Sequence, residues 1–75
     1  MHPSQMSWEK AKEEAAAWLR AAGVSKKPGR SVDLSKHALP FTGVFREMVM
    51  DAVQRRLRRL GVRDITLPPK PPEAE

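Results

Sequence analysis

Apolar residues recur at spacings of three and four from the first tryptophan onward: Trp8, Ala11, Ala15, Trp18, Leu19 and Ala22. At 3.6 residues per turn they fall on one stripe about 100° wide, the signature of an amphipathic helix. Ser7 is placed to cap that helix, Glu9 lies in its first turn, and Gly23 follows its last periodic residue. The stripe casts both tryptophans as core anchors. Residues 24–40 lose the period. Pro28 and Gly29 mark a turn, and Val32 and Leu34 alternate with polar neighbours as in a short strand.

A second helix is predicted from Pro40 or Thr42 to about Leu60, with Gly61 as its stop. Phe41, Val44, Phe45, Met48, Val49, Ala52, Val53, Leu57 and Leu60 supply its apolar face, and Met50 lies outside that stripe. The arc therefore exceeds half the circumference in the first half of the helix. One short neighbour cannot cover it, so Phe41, Phe45, Met48, Val49 and Met50 become a candidate surface for self-association or docking. After Gly61, "VRDITLP" alternates again, and residues 62–67 could pair with 31–35 as strands. The closing "PPKPPEAE" favours an extended polyproline conformation and contains overlapping PxxP patterns.

These elements amount to a mainly α fold: two amphipathic helices joined by a basic Pro/Gly-containing loop, with a minor two-stranded β element. The expected organisation is a flexible N-terminus (1–6), a single small domain (7–67) and a disordered proline-rich tail (68–75). At 75 residues such a domain buries only about 60% of its unfolded surface, so its core is marginal. Cysteine is absent, which removes disulfides and thiolate metal sites, and His2 and His37 are too scattered for a metal cage. Good helix packing or a partner must then supply stability. A homodimer, or a subunit of a larger complex, is the expectation.

Charge sharpens the picture. Residues 1–19 carry two lysines against three glutamates, whereas residues 20–63 carry eleven basic and three acidic side chains. Residues 64–75 return to one lysine against three acids. The basic block points to an anionic partner. Its focus is "VQRRLRRLG", where Arg55, Arg56, Arg58 and Arg59 crowd into five residues, with Arg63 beyond. On a helical wheel Arg55, Arg58 and Arg59 share one side, whereas Arg56 falls close to the direction of Phe45. Arg56 thus lies where the apolar stripe would continue, which implies that the stripe leaves the core there.

Two readings of the cluster compete. Cations near a helix C-terminus gain about 0.3–1 kcal/mol each from the dipole, and Asp51 can pair with Arg55. Arg56, Arg58 and Arg59, however, have no acid three or four residues back, and they repel one another. A helix needing only solubility would intersperse glutamate, as the first helix does. Lys26, Lys27 and Arg30 in the loop could reinforce an anion-binding face. Proline and glycine at 28 and 29 argue against a recognition helix of the helix-turn-helix kind after Gly23.

Catalysis has little to draw on. No nucleophile motif, zinc-type histidine pair or phosphate-cradling loop is present. His37 reads as a loop side chain. The expected function is non-enzymatic and cofactor-free: a small basic nucleic-acid-binding protein, DNA or RNA, gripping phosphates through Arg55, Arg56, Arg58, Arg59 and Arg63. The alternative is a regulatory interaction module, an inhibitor, adaptor or accessory subunit, whose arginines meet an acidic protein surface. The N-terminus lacks a signal-type apolar core and no run approaches membrane-span length, so the chain is expected in the cytoplasm and off the membrane.

Overall fold

The computed structural model describes residues 7–24 and 26–69. The flexible N-terminus expected over 1–6, and the tail from Lys70 onward with its PxxP patterns, lie outside the described residues. Element order is α1 (Trp8–Ala21), β1 (Ser31–Asp33), α2 (Gly43–Arg59) and β2 (Asp64–Thr66). Over the described residues the protein is mainly helical, with two helices and a small two-stranded sheet.

Both helices begin and end where local chemistry dictates. At α1 the Ser7 Oγ accepts the Lys10 backbone N–H at 3.1 Å, satisfying one of the orphan donors of the first turn. Thr42 occupies the N-cap of α2 in extended geometry, without a side-chain bond. The two C-termini close identically. Gly23 N–H donates to Arg20 O and Val24 N–H to Leu19 O, both at 3.0 Å; Gly61 N–H donates to Arg58 O and Val62 N–H to Leu57 O, again at 3.0 Å. These are Schellman closures, and they need the left-handed backbone that glycine supplies, with φ of 87° at Gly23 and 93° at Gly61.

The strands pair in parallel, with Ser31 opposite Asp64, Val32 opposite Ile65 and Asp33 opposite Thr66. Parallel neighbours require a long crossover, and α2 provides it. Pairing extends past the strand ends: Leu34 N–H donates to Thr66 O at 2.7 Å, and Arg63 N–H to Arg30 O at 2.8 Å. The β element that the alternation suggested over 31–35 and 62–67 is thus shorter, and its sense is parallel.

The core collects Ala11, Ala15 and Leu19 from α1, Val49, Ala52, Val53 and Leu57 from α2, and Leu34 and Val62 from the strand margins. Three expectations change here. Trp18 packs against the core and donates its indole N–H to Ala38 O at 3.0 Å, but Trp8 stands at the helix edge, 36% exposed, and is no core anchor. The stripe of α2 does not leave the core at Arg56, because Leu57 and Val62 beyond it are fully covered. On the wheel Arg56 falls between the directions of buried Ala52 and Val49, but it lies a turn or more beyond them toward the helix C-terminus, where it stays exposed. Val49, counted with the docking surface, is sealed inside.

Arg46 is the exception within this core. It is 5% exposed, its Nε has no hydrogen-bond partner, and its Nη2 donates to Pro69 O at 3.3 Å. Pro68, the residue before that acceptor, is buried, so the first residues of the proline run lie against the domain.

Candidate anion-binding groove

On α1, Trp8, Lys12, Ala16 and Arg20 form a row at four-residue steps, which a helix aligns along one side. On α2, Ala52, Arg55, Arg56, Arg59 and Leu60 form the facing row at steps of three and four. Where the helices meet, two open hollows result. One, of about 160 Å³, is lined by Trp8, Lys12, Ala52, Arg55, Arg56 and Arg59. The other, of about 210 Å³, is lined by Ala16, Leu19, Arg20, Val24, Lys26, Arg56 and Leu60. Arg56 belongs to both, and among the described residues neither lining contains a carboxylate.

The cations differ in how far they are already engaged. Arg55 Nε donates to Asp51 Oδ2 at 3.2 Å, and its guanidinium carbon lies 5.6 Å from the Trp8 ring centroid. Lys12 pairs with Glu9 at 2.8 Å, and Lys10 with Glu14 at 3.3 Å outside the groove. Among the described residues Arg20, Lys26, Arg56 and Arg59 form no ion pair. Nor do their side chains serve the helix ends. The last carbonyls are satisfied by the backbone N–H groups of Gly23, Val24, Gly61 and Val62, so the guanidinium donors of Arg20, Arg56 and Arg59 are not used as caps. The partial negative charge at each helix C-terminus tolerates this concentration of cations without acids.

Of the residues the sequence singled out, the groove unites Arg55, Arg56, Arg59 and Lys26. Arg58 is exposed but lines neither hollow. Arg30 and Arg63 stand side by side where the two strands start, joined by their backbone bond. Lys27 is exposed in the loop and has interactions of its own. Lys12, Arg20 and Trp8 were not read as site residues, although their four-residue row was a visible signal. At the N-terminal end of α2, Phe41, Phe45, Met48 and Met50 are half-buried, and Val44 is 64% exposed. Phe41 and Phe45 meet edge to face at 5.1 Å.

Elsewhere the chemistry is structural. Asp33 Oδ1 accepts the Ser35 hydroxyl at 2.6 Å and the Ser35 backbone N–H at 2.9 Å, closing the turn after β1. These two bonds to Ser35 hold the Asp33 carboxyl below the ordinary aspartate range. His37 is exposed in the following turn. Among the described residues no group of three or more His, Asp or Glu is placed to hold a metal ion, and no helix is long and apolar enough to cross a membrane. Comparison with known protein families, curated proteins and solved structures finds no match.

Proposed function

We propose that this chain is a small, non-enzymatic nucleic-acid-binding protein, and that the groove between α1 and α2 is its contact surface. One observation carries the reading: Arg56 is shared by two hollows lined with Lys12, Arg20, Lys26, Arg55 and Arg59, and among the described residues no acid lines either. Arginines such as Arg20, Arg56 and Arg59, with donors spent neither on acids nor on helix caps, suit a polyanion with regularly spaced phosphates. Such contacts fix position and supply affinity, but carry little sequence information. Lys27, Arg30, Arg58 and Arg63 add long-range attraction for the same partner, steering encounter rather than gripping.

Electrophoretic mobility shift at about 50 mM salt, where phosphate contacts are strong, tests this directly. Mixed-sequence DNA or RNA should be retarded by the natural chain, and Arg56→Glu should abolish the shift while the fold persists by circular dichroism. Failure to retard either nucleic acid refutes the proposal.

The exposed Val44, with half-buried Phe41, Phe45 and Met48 near it in sequence, favours a second reading: a docking or dimer surface at the N-terminal end of α2, away from the arginine cluster. Native mass determination after nuclease treatment separates the two. A stoichiometric protein complex or dimer that survives nuclease supports docking, and a monomer argues against it.

A further inference from the structure

We infer that the groove takes single-stranded nucleic acid, with the indole of Trp8 as a stacking platform for one base and the surrounding cations holding the flanking phosphates. The inference rests on the nucleic-acid reading above and narrows it. Two features distinguish a single strand from a duplex here. The cations line a concavity between two helices, whereas B-DNA is read by an element that protrudes into its major groove. A large aromatic ring lies at the same spot, 36% exposed and flush with the cationic lining. A positively charged groove combined with an aromatic face is how single strands are held, because an unpaired base offers a free π-face and a paired one does not.

Arg55 explains how the platform is kept until a ligand arrives. Its guanidinium covers the ring at 5.6 Å while Asp51 holds its Nε at 3.2 Å. An exposed cation–π contact is weaker than a base–indole stack, so an arriving base takes the ring face. The displaced guanidinium then stays within reach of the adjacent phosphate. Arg56 and Arg59 in the same hollow serve the next phosphates along the strand, and Arg20 and Lys26 extend the track into the second hollow. The stack is indifferent to the base and to the sugar, so the shared chemistry is an unpaired base flanked by phosphates, from DNA or RNA.

The test is fluorescence anisotropy with labelled oligo(dT) and oligo(U) of about 12 nucleotides, within the usual site size of such grooves. A duplex of matched length and inorganic polyphosphate are the competitors. The natural chain should prefer either single strand over duplex and polyphosphate. Trp8→Leu keeps apolar packing and loses the ring, and should weaken single-strand binding about fivefold or more. It should leave duplex and polyphosphate binding within about twofold, the change expected where no base stacks. Trp8→Phe should retain most of the single-strand affinity, and melting by circular dichroism should confirm that both variants fold. A preference for oligo(U) over oligo(dT), or the reverse, assigns the source and leaves the stacking intact. If Trp8→Leu alters no affinity while Arg56→Glu abolishes binding to all four polyanions, the stack is refuted and the phosphate-binding reading survives. If the natural chain binds none of them, both fall together.

Discussion

Replacing Arg46 with methionine removes a guanidinium from one of the least accessible positions of α2 and leaves an apolar side chain of similar length. In the native chain Arg46 is 5% exposed, its Nε is unpartnered, and its one described bond, to Pro69 O, is long at 3.3 Å. A buried donor left unmade costs about 1–3 kcal/mol, and a bond at the edge of the distance range returns about 1 kcal/mol or less. Desolvating the charge adds to the debit, which is why exchanging buried ionic groups for apolar ones often stabilises by about 1–4 kcal/mol. Pro69 is exposed, so water can take over its carbonyl when the arginine is gone. The expected net effect of Arg46→Met is a gain of about 1–2 kcal/mol, worked from these terms. For a domain of this size each kcal/mol moves the thermal midpoint by about 4–8 °C, well within reach of a circular dichroism melt. Arg46→Ala should behave oppositely, because it also deletes the buried aliphatic stem. A fall in midpoint of more than about 4 °C for Arg46→Met would mean that the guanidinium is well partnered, and would refute the reasoning.

Gly61→Ala should cost about 1 kcal/mol in urea unfolding, because a Cβ there meets no neighbour but the φ of 93° is strained for any L side chain. Gly61→Asn should cost less, and equal costs would show that φ is not the cause. Asp51→Asn releases Arg55 from its carboxylate and should tighten nucleic-acid binding by about twofold or more at low salt; unchanged or weaker affinity would count against the groove. Carbon-detected NMR titration of Asp33 should give a midpoint below the ordinary value of about 3.9. Because the folded value is depressed, the turn's contribution is complete above the unfolded value and is lost as pH falls through the folded one. Asp33→Asn should remove that acid-side dependence, and a midpoint at or above the ordinary value would sink the attribution to Ser35.

Local chemistry made the helices legible. Ser7, Gly23 and Gly61 act within a few residues of their own positions, and each does what its neighbours in sequence require. Pairing between the strands depends on where α2 returns the chain, some thirty residues on, so alternation at Val32 and Ile65 could suggest strands but not their parallel sense. Arg46 was readable in principle. One residue past Phe45, it stands on the helical wheel between Val53 and Leu57, both fully buried. Centring the stripe on Phe45 instead hid this. The arginine cluster itself was plain, but the groove was not, because half of it comes from α1. Only the packing of the Trp8, Lys12 and Arg20 row against α2 turns a run of arginines into a concave cationic surface.

The central claim is that this surface binds phosphates chiefly through cations, Arg56 foremost, that have no ion pair among the described residues. Its most direct test is the salt dependence of binding to a single-stranded oligonucleotide, compared between the natural chain and Arg56→Ala. With about four to six phosphates neutralised, log K against log salt should fall with a slope of about −3 to −4, and Arg56→Ala should make it shallower by about 0.7. Binding that is insensitive to salt, or a slope that Arg56→Ala leaves unchanged, would contradict the account.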